Sequence, residues 1–317
     1  NKTYYKNINE EYFFDDFAIN SSFKNNVRYI KVNSPDIING QMSGVFLLDD
    51  IDELFLNALG SLYTNFKPYT VQTNQYIDFD FKIYNKIVEV FVPDLKLGKN
   101  TFIQGRVESD KEEFKLTFKS PRIALFDYFA NNIEVQVDNK NPLFNTYVEV
   151  DSVATKYYNI SKFNLINVTL NDTLFMRSEI KGGTHNNDLY NLSFYHTKSD
   201  DNQSVIGFKK SDVTIKENKW FINAKKDKFN KVTFDNAFEN FKFEEFVLSH
   251  NNEEVKLSGV INGKDNKDLN LNFKDVDLEK ITPDIEGLAL QGLVNGEMEL
   301  LQQNGSFLPV SEITIDD

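Results

Sequence analysis

The sequence predicts an all-β chain: an elongated, curled sheet of about 20 mostly sequential strands, with one amphipathic helix near residues 49–66. Three observations point there. The apolar content is unusual in kind, with 29 Phe and 14 Tyr against one Trp and three Met, and aromatic side chains suit a pleated, half-buried surface. Runs such as Ile77-Asp-Phe79-Asp-Phe81-Lys-Ile83 and Leu269-Asn-Leu271-Asn-Phe273 alternate strictly, as a strand with one greasy and one wet face does. Finally, Leu257-Ser-Gly259-Val260-Ile261-Asn262-Gly263 returns as Leu290-Gln-Gly292-Leu293-Val294-Asn295-Gly296. Asn-Gly tolerates the positive φ of a type I′ turn, so both copies are predicted to read strand, turn, strand, with Gly259 and Gly292 as bend points.

Taken in order, two strand-like runs occupy 12–19 and 27–32, and Asn39-Gly40 punctuates them. From Asp49 the apolar residues Ile51, Leu54, Phe55, Ala58, Leu59, Leu62, Tyr63 and Phe66 recur at helical spacing. Asp49 or Asp50 is placed to cap this helix, and Pro68 to stop it. Strands resume at 77–83 and 86–92, then at 101–107, 114–118 and 133–137. Further strands are predicted at 147–150, 163–170, 173–180, 189–196, 205–215, 220–224, 232–234, 241–248 and 254–261, with a turn at Asn171-Asp172. The expected organisation is 1–67 as strands plus helix and 68–317 as continuous curled sheet, the whole forming one unit whose best seam is Pro68. Asn1 opens the chain in place of Met, and the last residues stop inside a strand-like pattern, so an internal segment of a longer protein is expected.

A net charge of −13 argues against a nucleic-acid backbone as main ligand, and against docking on anionic headgroups through a basic patch. With no cysteine there is no disulfide, thiolate catalyst or Cys-based zinc site. His185, His196 and His250 are the only histidines, and none has metal-ligand spacing or a nucleophile beside it. Asp78 and Asp80 fall on the wet face of a strand, and Asp265-Asn266-Lys267-Asp268 lacks the spacing of a calcium loop. We therefore expect no enzyme, no catalytic or metal residues and no cofactor.

A twisted sheet of about 20 strands with one helix must curl, split or close. In sequence, such strands would reach roughly 100 Å. The apolar face then lines a sandwich core, the inside of a barrel, solenoid or propeller, or a long trough. The expected inward positions include Phe79, Phe81, Ile83, Phe114, Leu116, Phe118, Ile133, Val135, Val137, Leu257, Leu269, Leu271 and Phe273.

Several segments resemble the TamB (translocation and assembly module) family of AsmA-like envelope bridge proteins, in its Bacteroidota-like form. They are the run from Leu269 through Val276, Leu278 and Ile281 to Pro283, followed by Gly292 and Gly296; Asn171 through Leu174 to Gly182-Gly183; Asp188 to Thr197, then Val205 to Ser211 and Trp220 to Asn223; and Asn57-Ala-Leu-Gly60-Ser-Leu-Tyr63 in the helix. The resemblance implies a β-taco fold with an apolar groove, in a periplasmic bridge whose full-length form is anchored in the Gram-negative inner membrane. It implies transport of phospholipid between the membranes, and help in outer-membrane protein assembly with a TamA-like barrel of the BamA superfamily. A trough lined by such residues favours phospholipid acyl chains as ligand, in agreement with the resemblance, and the net charge argues against a nucleic-acid partner. The alternatives are a β-sandwich cell-surface module that binds glycan or protein, and a chaperone whose open sheet edge pairs with nascent outer-membrane strands.

Overall fold

A computed structural model describes the chain except residues 1–2, 7–10, 15, 64–65, 157, 227, 283–289, 309 and 317. Pro283, the end of one family-like motif, therefore lies outside the described residues. The fold is all-β, 62% strand and 8% helix. Among the described residues, 22 of 24 strands belong to one antiparallel sheet, and β1 (Thr3–Lys6) and β2 (Glu11–Phe14) form a separate hairpin. The chain divides into two compact units: unit 1 is 1–156 with 162–168, and unit 2 is 157–161 with 169–317. The division falls within β12 (Asn159–Leu170).

Unit 1 continues with β3 (Ala18–Lys24), β4 (Val27–Ser34), β5 (Ile38–Val45) and β6 (Tyr76–Ile83). These are followed by β7 (Leu95–Leu97), β8 (Phe102–Glu108), β9 (Glu113–Leu125), β10 (Tyr128–Asp138) and β11 (Thr146–Ala154). Its helices are α1 (Ile51–Gly60) and α2 (Asn85–Phe91). Register converts the alternation into continuous rows. Ile30, Met42, Phe79, Gly105, Leu116 and Val137 face one another across six strands. Beside them run Val32, Gly40, Phe81, Ile103, Phe118, Val135 and Val148.

α1 covers part of this face. Leu54 and Ala58 are buried with Phe46, Ile77, Val107 and Phe114, and the Phe55 and Phe79 rings lie 5.5 Å apart. The acidic first turn, Asp52 and Glu53, suits the helix dipole. Asp50 sits at the N-cap, but its carboxylate accepts from Gln72 N and Gln75 Nε2 rather than from a helix N–H. The helix ends at Gly60, short of the expected residue 66. There Phe66 folds back so closely that a Cβ on Gly60 would lie 2.2 Å from its ring.

Two further local expectations fail in unit 1. Residues 86–92 do not form a strand. Ile87, Val88, Val90 and Phe91 are spaced for a helical turn and lie in α2, where the Glu89 carbonyl accepts from Tyr12 Oη. Asn39-Gly40 is no turn either. It pairs inside β5 with both neighbours, and the chain reverses at 34–38 instead.

Unit 2 comprises β13 (Thr173–Gly182), β14 (Asp188–Lys198), β15 (Ser204–Phe208), β16 (Ser211–Ile215), β17 (Asn218–Ile222) and β18 (Lys231–Phe234). After these come β19 (Asn240–His250), β20 (Glu253–Asn262), β21 (Asn266–Asp277), α3 (Leu278–Ile281), β22 (Leu293–Gln303), β23 (Ser306–Phe307) and β24 (Val310–Asp316). The turn at Asn171-Asp172 forms as expected, with φ of 47° and 53°. The strand expected over 205–215 is broken. β14 pairs with β15 along one half and with β16 along the other, while β19 pairs with β18 and then β17. Two ranks of half-strands thus lie between β14 and β19, each interrupted in the middle.

The repeated unit also divides. Asn262-Gly263 ends β20 in a turn, Gly263 having φ 63°. Asn295-Gly296 instead lies inside β22, paired with β21 and β24. Gly296 is therefore the structural counterpart of Gly259. Their φ values are 120° and 128°, and a Cβ would lie 1.9 and 2.1 Å from the facing strand's carbonyl oxygen. Only glycine fits such a close approach. Gly292 lies in a bend before β22, its carbonyl accepting from Leu278 N.

Candidate functional site

Register places all thirteen expected lining residues on apolar faces, nine in unit 1 and four in unit 2. In unit 1, Phe79, Phe114, Ile133 and Val137 are buried, and Phe81, Ile83, Leu116, Phe118 and Val135 are half-buried. Most of these belong to a core with α1. In unit 2, Leu257, Leu269, Leu271 and Phe273 are all half-buried. Leu257 faces Leu271, which faces Met298; Leu269 faces Leu300; Phe273 faces Val255 and Gly296.

The main feature of the unit 2 face is a line of phenylalanines. Ring centroids run Phe194–Phe208 at 5.8 Å, Phe208–Phe246 at 5.6 Å, Phe246–Phe243 at 6.3 Å, Phe243–Phe241 at 6.5 Å, Phe241–Phe234 at 5.7 Å and Phe234–Phe238 at 5.2 Å. These spacings are those of favourable aromatic pairs. Phe194, Phe208, Phe241, Phe243 and Phe246 are half-buried, and Phe238 is exposed. A cleft of about 650 Å³ opens at the Phe238 end, with Phe241 and Ile261 on its wall.

Reading the sequence missed this ladder. Phe241 and Phe243 alternate, but Phe246 is three residues further on. A bulge restores it to the apolar face: Glu245 takes φ 41°, and the register with β20 shifts between Phe243 and Phe246. A second bulge at Asp275, φ 50°, does the same for Val276.

One end of the face is closed. α3 lies against β17, with Trp220 and Val276 fully buried nearby. Trp220 Nε1 donates to the Lys280 carbonyl at 3.3 Å, and His250 lies against the indole at 5.2 Å. Buried Glu253 accepts from Asp277 N at 3.1 Å and from Lys280 Nζ at 3.4 Å, which pins α3 to the sheet.

The polar residues singled out in the sequence do not converge. His185 is exposed in the turn before β14. His196 sits half-buried in β14 opposite Leu174 and Ile206, and burial, with a lesser push from Lys198, holds its pKa below the usual histidine value. Asp78 pairs with Arg106 at 2.9 Å, and Arg106 also reaches Glu108 at 3.1 Å. Lys111 and then Arg106 hold the Glu108 carboxyl below its ordinary value. Asp80 and Asp265 are exposed. Among the described residues, no group of three or more His, Asp or Glu could hold a metal ion. Among the described residues, no helix is long and apolar enough to cross a membrane. The chain matches no family model, no curated protein and no solved structure.

Proposed function

We propose that this chain is a non-enzymatic segment of a TamB-like periplasmic bridge, and that the open apolar face of unit 2 carries phospholipid acyl chains. The observation behind this reading is the half-buried phenylalanine ladder, together with Leu257, Leu269, Leu271 and Phe273 on the same face. Each methylene that leaves water against such a surface gains about 0.8 kcal/mol, without regard to headgroup. A long acyl chain is therefore a natural ligand and selectivity is low. Anchoring of the longer protein in the inner membrane, contact with a TamA-like barrel and a role in outer-membrane protein assembly belong to the same proposal, and rest on the sequence resemblance.

The single tryptophan offers a direct test. Trp220 is fully buried on this face, and its β17 neighbour Ile222 pairs with Leu248 beside the ladder. Phospholipid with brominated acyl chains is expected to quench Trp220 fluorescence saturably, and unbrominated phospholipid to relieve the quenching. Unchanged fluorescence at all lipid concentrations, together with no phospholipid extracted from the purified chain, would overturn the proposal.

A further inference from the structure

The break between β17 and β18 has a chemistry of its own. Residues 223–230 read Asn-Ala-Lys-Lys-Asp-Lys-Phe-Asn. The two asparagines are buried and close the neck of an excursion. Asn223 Nδ2 donates to the Phe208 carbonyl at 2.8 Å, and Phe208 N donates to the Asn230 carbonyl at 2.8 Å. On the other side, Val247 N donates to Asn230 Oδ1 at 2.8 Å. Between the asparagines, Ala224, Lys225, Lys226, Lys228 and Phe229 are exposed. The neck abuts the second break, where Lys209 and Lys210 are also exposed.

Lys209 and Lys210 lie on the face opposite the phenylalanine ladder. Lys209 Nζ lies 4.2 Å over Phe175 and Lys210 Nζ 5.1 Å over Phe221, and strand alternation puts both rings on the wet face. On the apolar side, Phe208 and Phe246 meet across the break, their ring centroids 5.6 Å apart. Among the described residues, no carboxylate lies within ion-pair distance of Lys209, Lys210, Lys225, Lys226 or Lys228. Residues 209–231 hold eight lysines against Asp212, Glu217 and Asp227 in a chain of net charge −13; of these lysines, Lys219 pairs with Asp212 and Lys231 with Glu244. Charges are screened within about 10 Å at ordinary salt, so a surface contact senses this segment and not the chain total.

We propose that the 223–230 excursion, with Lys209 and Lys210, is a docking site for an anionic phospholipid bilayer surface. The lysines meet headgroup phosphates, and Phe229 enters the interface as aromatic residues do. This contact is independent of any acyl chain on the opposite face.

Flotation of the purified full chain with vesicles tests it. Binding is expected to vesicles containing phosphatidylglycerol and not to pure phosphatidylcholine, and is expected to fall as salt rises. The combined Lys225→Gln, Lys226→Gln and Lys228→Gln variant is expected to bind the anionic vesicles about a hundredfold more weakly, each lysine near such a surface contributing about a factor of five. Phe229→Ala is expected to weaken binding less and to leave its salt dependence unchanged. Because all four side chains are exposed, unchanged near-UV circular dichroism should accompany both variants, and bound acyl lipid should be retained. Equal binding to both vesicle types, no binding to either at low salt, or full binding by the triple variant would each overturn the proposal. So would displacement by inorganic phosphate at constant ionic strength, which marks a discrete phosphate pocket instead.

Discussion

Unit 1 and unit 2 build an apolar face by the same rule and finish it differently. In unit 1, α1 lies on the rows and buries Ile77, Phe79, Val107 and Phe114. Among the described residues of unit 2, the four-residue α3 covers the Trp220 end, and Phe243, Phe246, Leu257 and Leu271 are half-buried. Alternation therefore encodes the face, whereas the covering element decides whether that face becomes a core or a surface. The amphipathic helix is what turns the unit 1 face into an interior.

The comparison predicts unequal costs for similar substitutions. Phe114→Ala removes a side chain only 1% exposed and should cost about 3–5 kcal/mol by denaturant unfolding. Loss of less than about 1 kcal/mol would mean that the α1-covered face is not a packed core. Gly259→Ala must place a Cβ 2.1 Å from the Asp268 carbonyl oxygen at φ 128°, and should cost about 1–3 kcal/mol. An unchanged melting temperature would show that β20 approaches β21 less closely than described.

Phe246→Asp lies on the open face, where a carboxylate keeps much of its hydration. It should cost only about 1–2 kcal/mol, yet deplete bound lipid. The smallest effect concerns pH. Burial favours neutral His196 in the fold, so the unfolded chain binds that proton more readily. The contribution is intact above about pH 6.5 and is lost as pH falls below it. The urea midpoint should drop between about pH 7.5 and pH 5, and drop less in His196→Gln. Identical drops in both proteins would remove His196 from the account.

Much of the fold was legible because strand alternation is local. Ile77 to Ile83 and Leu269 to Phe273 pair as the period demands. What was not legible depends on partners or on single backbone angles. The bulge at Glu245 hides Phe246 from a period-two reading, and with it the ladder. Asn-Gly looks the same at a turn, as in Asn262-Gly263, and inside a strand, as in Asn39-Gly40 and Asn295-Gly296, where a close strand approach is what requires glycine. α2 was missed because β-branched residues predominate in Lys86-Ile-Val-Glu-Val and mask its helical spacing. The basic excursion was hidden by the opposite charge of the rest of the chain.

The central claim is that the uncovered face of unit 2 holds acyl chains. Mass spectrometry of lipid extracted from the purified chain, compared between the unsubstituted protein and Phe246→Asp, tests it most directly. The account predicts phospholipid bound to the unsubstituted chain and largely absent from a folded Phe246→Asp. Absence of lipid from both, or equal amounts in both, would contradict it.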